Sequence, residues 1–311
     1  MSTRIKIAAS AAELDGLFRS RHQALVEEQG SHFPRADLRL LDRFDTFPSS
    51  KNVMASVAGE VVGGVRLCPH GQDCAMGGVF DFTSNLPQGA IAGSLSRFHL
   101  LEDHHDAGQR LGLSLLYMAT FVASRSDFTH LLCCPEPRVS RLAQSIGFQQ
   151  VAPRFTHEPT GQERVPMVQD LRQLQLPLLT MARAPGMLDA FDQVEWEFHK
   201  AGDTIIQAGS SGSAAFLVID GEVIVSVDRG SPGGRKSFEL ATLGPGQIFG
   251  ELALLTMRKR TANVVAATEV DLMVLERDVF RRELIRNPDR LPAVLEQLAN
   301  RLADADDLLT R

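Results

Sequence analysis

The chain is short of aromatic and sulfur-bearing residues: of 311 residues, one is Trp, one is Tyr and four are Cys. The four thiols (Cys68, Cys74, Cys133, Cys134) include no C-x-x-C pair. That pattern gives neither a disulfide framework nor a zinc site, so a reducing compartment and no metal are expected. No window approaches about 18 uninterrupted apolar residues, which excludes a membrane-spanning helix. The start, MSTRIKIAASAAELD, has basic residues but no apolar core of secretory length, and Glu13 and Asp15 soon follow. The expected location is cytoplasmic. A basic surplus is also missing. Net charge is -6, with 17 Lys/Arg and 18 Asp/Glu in residues 1–178 and 15 and 20 in the remainder. This argues against nucleic acid as a partner. What is present is 44% hydrophobic residues with ordinary Gly and Pro content, a composition suited to packed domains.

The length favours two domains, at about 100–200 residues each. The first half alternates strand and helix signals. Residues 5–9 read as a strand, and 12–29 as an amphipathic helix with Leu14, Leu17, Phe18, Leu25 and Val26 at three- and four-residue spacings. Residues 53–58 and 61–67 flank Gly59-Glu60 as a hairpin. An extended loop over 70–90, a strand over 95–101, an apolar helix over 111–124, a strand over 131–134 and a helix ending at Gly147 complete the pattern. Mixed elements of this kind imply a layered domain. Pro177 and Pro185-Gly186 mark a linker over 173–190. From Phe198 to Leu275 short β-rich runs alternate with glycines, FLVID-G-EVIVSVD (216–228) most clearly, which suggests a small barrel. After Asp278 the chain reads as helical. Leu291, Leu295, Leu298, Leu302, Ala305 and Leu309 form a 4-3-4-3-4 stripe that suits either a homodimer seam or packing on the chain's own barrel.

The most specific motif is FGELALLTMRKRTANV (249–264). It reads as a glycine-opened turn into a short helix and a return strand, with backbone N–H groups turned toward an anion. Arg260 supplies a guanidinium for a phosphate oxygen and Thr261 a hydroxyl. Glu251 beside that anion suits a sugar hydroxyl. The segment resembles the phosphate-binding cassette of the cyclic-nucleotide-binding domain family, and the span 198–311 fits that family's pattern. The resemblance implies that Gly250, Leu252 and Ala253 surround the cyclic phosphate, that Glu251 takes the ribose 2′-hydroxyl, and that Arg260 pairs with the phosphate. Lys259 stands where many members have proline. Thr261 is compatible with cAMP and with cGMP. With one helix after the barrel and no helix-turn-helix module before Arg311, the expected output is the first domain.

In that domain QRLGLS (109–114) follows a strand and precedes the apolar helix. Gln109, Gly112 and Ser114 fit a loop in which a glycine lets the backbone approach the phosphates of a pantetheine donor. The order of elements resembles the GNAT acyltransferase superfamily. More specifically, residues 17–150 resemble the acyl-homoserine-lactone (autoinducer) synthases and N-acyl amino acid synthases. LFRSRHQALVEEQG (17–30) matches the leading helix with its active-site arginine, Arg21. LDRFD (41–45) matches the paired acids, Asp42 and Asp45. VVGGVRLCP (61–69) carries Arg66, and SLSRF (94–98) carries Ser96 and Arg97. Autoinducer synthases usually have glutamate where this chain has Ser94, which puts S-adenosylmethionine as acceptor in doubt.

Amide formation from a thioester needs a neutral amine and an oxyanion donor. Asp45 would orient or deprotonate an ammonium substrate, and a backbone N–H on a splayed strand near Arg97 would face the thioester oxygen. Arg21 and Arg97 paired with Asp42 and Asp45 in a scaffold is the alternative.

The resulting expectation is an α+β chain. A GNAT-like domain, a central mixed sheet flanked by helices, spans 1–172. A β-barrel cyclic-nucleotide-binding domain with C-terminal helices spans 191–311. The function expected is a cAMP- or cGMP-regulated N-acyltransferase using acyl-CoA or acyl-carrier protein and a small amine, amino-acid-like or S-adenosylmethionine. Such coupling requires different nucleotide affinity in two states; a 100-fold difference is worth about 2.7 kcal/mol. A nucleotide-gated protein lysine acetyltransferase and a non-catalytic sensor are the alternatives.

Overall fold

The structure, a computed structural model, describes residues 3–70, 78–104, 108–173, 195–231, 234–256 and 258–278. The expected linker from 174 onward and the heptad stripe at 291–309 lie outside the described residues. The chain divides into two compact units, residues 4–179 and residues 1–3 with 180–311.

The first unit is built on a mixed sheet with strand order β1-β2-β3-β4-β5-β9-β6. These strands are β1 (Thr3–Ile7), β2 (Lys51–Val57), β3 (Glu60–Pro69), β4 (Ala92–Leu100), β5 (His130–Cys133), β6 (Gln149–Gln150) and β9 (Met167–Asp170). The β2–β3 hairpin turns through Ala58 and Gly59, both at positive φ (52° and 92°), as a tight two-residue turn between twisted strands requires. A separate hairpin pairs β7 (Phe155–His157) with β8 (Gln162–Arg164).

Helix α1 (Ala11–His22) starts where the Ser10 hydroxyl accepts from the Glu13 N–H and Glu13 accepts from the Ser10 N–H, a reciprocal cap. One wider π turn, Gln23–Glu28, prolongs it. Gly64 lets α1 lie against the sheet: a Cβ there would run into Leu17 and reach the Val53 carbonyl at 2.8 Å. Helix α2 (Gly108–Ser124) connects β4 to parallel β5, and α3 (Pro137–Ser145) ends before Gly147, which has φ +99°.

Two irregularities shape the site. First, β4 pairs with β3 along most of its length but with β5 only at Ala92–Ser94. Beyond Ser94 and Leu132 the two strands part. Second, Arg97 and Phe98 together oppose Val65 across the β3–β4 ladder, a bulge in which Arg97 adopts φ +55°. A non-glycine residue in the left-handed region is uncommon and tends to re-aim a side chain.

The second unit packs two antiparallel sheets. One has the order β15-β12-β17-β10 and the other β11-β16-β13-β14. Their strands are β10 (Glu195–His199), β11 (Thr204–Ile206), β12 (Ala214–Asp220), β13 (Val223–Ser231), β14 (Gly234–Leu243), β15 (Ile248–Phe249), β16 (Asn263–Ala266) and β17 (Val270–Glu276). Their inner faces share a core of Phe216, Val218, Val223, Phe249, Val264 and Leu272. The two runs of FLVID-G-EVIVSVD lie in opposite sheets; the chain crosses at Gly221, φ +79°. Between β15 and β16 sits the short helix α4 (Glu251–Thr256).

Candidate active site and nucleotide cassette

In the first unit a cavity of about 620 Å³ opens where β4 and β5 part. Residues 95–100 of β4 line one side, and Cys133 at the end of β5 with residues 134–136 after it another. Val65, Leu95, Leu116 and Leu142 supply apolar wall, suited to a hydrocarbon chain.

The polar part is a lattice of arginines and carboxylates. Arg66 on β3 is fully buried. Its Nη1 lies 2.6 Å from Asp42 Oδ1 and 2.9 Å from Asp45 Oδ2, and its Nε donates to Ser96 Oγ at 3.1 Å. Arg66 and Ser96 meet because they are register partners across β3 and β4. Arg97 reaches Asp42 Oδ2 from Nη2 at 2.9 Å and from Nε at 3.3 Å. Burial raises the Asp42 pKa, but Arg66 and Arg97 outweigh it and hold the pKa at about 2. Asp42 also caps the 3-10 turn Arg43–Thr46, accepting from the Phe44 N–H at 2.9 Å, while Asp45 accepts from the Asp42 N–H at 3.0 Å.

Arg21 and Asp45 lie behind this wall. Arg21 Nη1 meets both Asp45 oxygens, at 3.1 and 3.0 Å, and its Nη2 donates to Asn52 Oδ1 at 3.0 Å. Burial brings the Arg21 pKa down to about 10. Neither residue lines the cavity, whereas Asp42, Arg66, Ser96 and Arg97 do. Asp45, expected to meet the substrate amine, has its carboxylate paired with two buried arginines, Arg21 and Arg66.

The segment 109–114 also differs from expectation. It forms the first turns of α2 and is no loop. Gly112 is needed for packing, since a Cβ there would stand 3.2 Å from Leu142 and 3.3 Å from Phe98. Ser114 Oγ donates to the Arg110 carbonyl of its own helix at 2.8 Å. The Gln109 side chain lies outside the described residues.

Three site residues escaped the reading of the sequence. His99 is buried and joins the Arg97 carbonyl through Nδ1 at 3.0 Å and Ser20 Oγ through Nε2 at 3.0 Å. Burial and then the Arg21 charge bring its pKa down to about 3. His32 Nε2 contacts Arg97 Nη1, and its Nδ1 lies 2.9 Å from Ser31 Oγ. Arg164, at the end of β8, lines the cavity with His157 and Thr160. The spacing Arg97-x-His99 on a strand was the available signal for His99.

In the second unit Arg260 is buried. Its Nη1 donates to the Gly250 carbonyl at 2.6 Å and its Nη2 to the Ala214 carbonyl at 2.5 Å. Gly250 has φ +79°, and a Cβ there would come 2.8 Å from Arg260 Nη1. A Cβ on Gly212 would run into the same guanidinium. Burial lowers the Arg260 pKa, Glu251 opposes that, and Arg277 adds to it. Glu251 and Ala253 are buried, Leu252 is 39% exposed and Thr261 is exposed. Gly250 and Glu251 of the cassette thus lie at one guanidinium.

Residues 17–170 match the family model described as N-acyl amino acid synthase FeeM, and residues 196–287 match the cyclic nucleotide-binding domain. The chain joins an N-acyl amino acid synthase domain to a cyclic nucleotide-binding domain. Similar curated proteins include cGMP-dependent protein kinase, isozyme 1, of Drosophila melanogaster, 34% identical over 58% of this chain and 22% of that protein. The cyclic AMP receptor protein of Thermus thermophilus is 36% identical over 41% of this chain and 59% of its own length. The chain thus spans less than two thirds of either relative. Among solved structures, FeeM, an N-acyl amino acid synthase from uncultured soil microbes, is 15% identical with a TM-score of 0.46, over 55% of this chain and 93% of that one. All the lattice residues, Arg21 to Arg97, fall within the synthase domain, and Gly250 to Thr261 within the nucleotide domain. Among the described residues no helix is long and apolar enough to cross a membrane.

Proposed function

We propose that the protein is a cyclic-nucleotide-responsive N-acyltransferase that moves an acyl group from a thioester donor, acyl-CoA or acyl-carrier protein, to a small amine. The observation that carries this reading is the cavity at the parting of β4 and β5, apolar on its walls and lined by Arg97 and Asp42. Strands that part leave backbone N–H groups of β4 without ladder partners, and these suit the oxyanion of a tetrahedral intermediate. Amine attack forms the C–N bond, collapse breaks the C–S bond, and the amine proton leaves as the thiol is released. Asp42, already bonded to Arg66 and Arg97, holds the Arg97 guanidinium at the cavity; Arg66 on β3, bonded to Ser96 on β4, braces it. Arg21 and Asp45 act as scaffold.

In the nucleotide domain Arg260 would exchange carbonyl partners for the cyclic phosphate, with Glu251 at the ribose and the Gly250–Ala253 backbone around the phosphate. Binding would shift the protein between states of different acyl-transfer rate, in a cytoplasmic homodimer as the sequence suggests. The acceptor is an amino-acid-like amine, because Ser94 is buried against the Cys68 carbonyl and offers no carboxylate for S-adenosylmethionine.

The test is mass spectrometry of organic extracts from cells making the protein or its Arg97→Asn variant, with cAMP or cGMP raised. Asn tolerates the left-handed backbone that Arg97 adopts. New N-acyl species with the parent alone support the reading. Matching extracts under all conditions contradict it.

A further inference from the structure

The stretch between α1 and β2 is anchored at two buried points and projects between them. Ser31 Oγ donates to the Leu25 carbonyl at 2.7 Å. Leu40 is buried with Leu25 and Val26, and its N–H donates to the Phe18 carbonyl at 3.0 Å. Residues 33–38, between these anchors, are all exposed. Phe33 is 90% exposed and Leu38 50%, the latter at φ +53° with its N–H on the Arg35 carbonyl. Phe47 is 39% exposed and meets Phe44 edge-on, with ring centres 5.8 Å apart. Six large apolar side chains are exposed among the described residues, and three of them fall within 33–47. A single exposed Leu or Phe is ordinary, but several in one stretch mark a surface that meets something apolar.

The charges of the same stretch are sorted by direction. Residues 33–47 contain three arginines and three aspartates, so their sequence is neutral. Asp42 and Asp45 turn inward onto Arg66, Arg97 and Arg21. Arg35, Arg39 and Arg43 are left outside with Asp37, a surplus of two positive charges. Arg39 pairs with Asp15, and Arg19 on the same carboxylate keeps that surplus unchanged. Two further residues of the loop, His32 and Phe44, line the cavity whose apolar wall suits a hydrocarbon chain.

We propose that residues 33–47 form a contact with an anionic lipid surface: Phe33 and Leu38 enter the lipid layer, Arg35 and Arg43 meet the headgroups, and the protein lies on the bilayer without spanning it. This goes beyond the acyltransferase reading and does not depend on it. Shape favours lipid over an acidic protein. A phenyl ring exposed at 90% projects from the surface, and a protein partner would need a pocket cut to receive it. A fluid bilayer needs none. The cavity behind the stretch adds to this. Water rejects a long hydrocarbon chain, and a site resting on lipid takes up or releases such a chain without exposing it.

The test is flotation of the full chain with phosphatidylcholine vesicles, with and without phosphatidylglycerol. The parent should float with the anionic vesicles, and less so as salt is raised. Phe33→Ser should weaken partitioning about tenfold or more, the worth of burying a phenyl group. Arg35→Gln and Arg43→Gln should each weaken it about fivefold, and only toward the anionic vesicles. All three side chains are exposed, so the variants should keep the parent's urea midpoint. Phe238→Ser, which removes an exposed ring of the second unit, should float as the parent does. A parent that floats with neither kind of vesicle overturns the contact. So does equal loss in Phe33→Ser and Phe238→Ser, which would mean unspecific adhesion, and so does parent-like flotation of Phe33→Ser. An acidic protein that binds the parent and not Phe33→Ser, with no vesicle binding by either, overturns it in favour of protein docking.

Discussion

Arg21 Nη1 stands 3.1 and 3.0 Å from the two oxygens of Asp45, and the Asp45 side chain is 1% exposed. Arg66 Nη1 reaches the same carboxylate at 2.9 Å. One buried carboxylate thus answers two fully buried guanidiniums. Asp45→Ala would leave both charges without it, a change that typically costs about 3–5 kcal/mol. The urea midpoint of the variant should fall accordingly. A variant as stable as the parent but inactive would instead place Asp45 in the chemistry.

The buried His99 makes stability depend on pH. Its pKa is about 3 in the fold, while an unfolded histidine takes up its proton near 6.5. Between those values the unfolded chain binds more protons, so stability rises with pH and is lost as pH falls below 6.5. The slope is about 1.4 kcal/mol per pH unit from this group within the window. His32, at about 4, adds to the upper part of it. Asp42 works in a lower window, its contribution present above about 3.8 and lost as pH falls toward 2. Urea midpoints at pH 7, 6 and 5 should decline in the parent, and His99→Asn should show a visibly shallower decline. An unchanged slope would mean that His99 is not held neutral.

His99 also holds the bulge. Its Nδ1 hydrogen bond to the Arg97 carbonyl supports a residue at φ +55°. His99→Asn should therefore lower the acyl-transfer rate at pH 8, where the imidazole charge plays no part. The expected loss is about ten- to a hundredfold, since small misplacements of positioning groups have costs of that size. Steady-state kinetics at pH 8 check this, and parent-like rates would contradict it.

In the nucleotide domain Gly212→Ala places a methyl group where the Arg260 guanidinium lies. It should weaken cAMP binding nearly as much as Arg260→Ala. For Arg260→Ala the expected loss is about tenfold to a hundredfold, the worth of a charge-assisted hydrogen bond to phosphate. Calorimetry on both variants decides; normal affinity in Gly212→Ala would show that Arg260 moves away from Gly212 when nucleotide binds.

Much of the lattice was readable in the residues. Arg66, Ser96, Arg97 and Asp42 stand in three short motifs, and the structure brings all four residues to one cavity. The hairpin at Gly59 was readable, but it sets Arg66 opposite Asn52; the facing of Arg66 and Ser96 comes from the separate β3–β4 pairing. What was not readable depends on direction and depth. An acid in LDRFD looks the same whether it points to solvent or inward, so the burial of Asp45 could not be seen. The bulge at Arg97 leaves no glycine to announce it. Strands β7 and β8 have three residues each, joined by polar residues, too short for a periodicity to show. Arg164 was hidden with them. In QRLGLS a glycine that packs under Leu142 and Phe98 reads the same as one that admits a phosphate.

The central claim is that one ligand governs one reaction. It is tested most directly by measuring release of free thiol from a long-chain acyl-CoA, in the presence of a mixture of amino acids, with and without saturating cAMP or cGMP, in the parent and in Arg260→Ala. The account predicts a rate that changes with nucleotide in the parent and does not change in the variant. Turnover by the parent at the same rate with and without either nucleotide would contradict it.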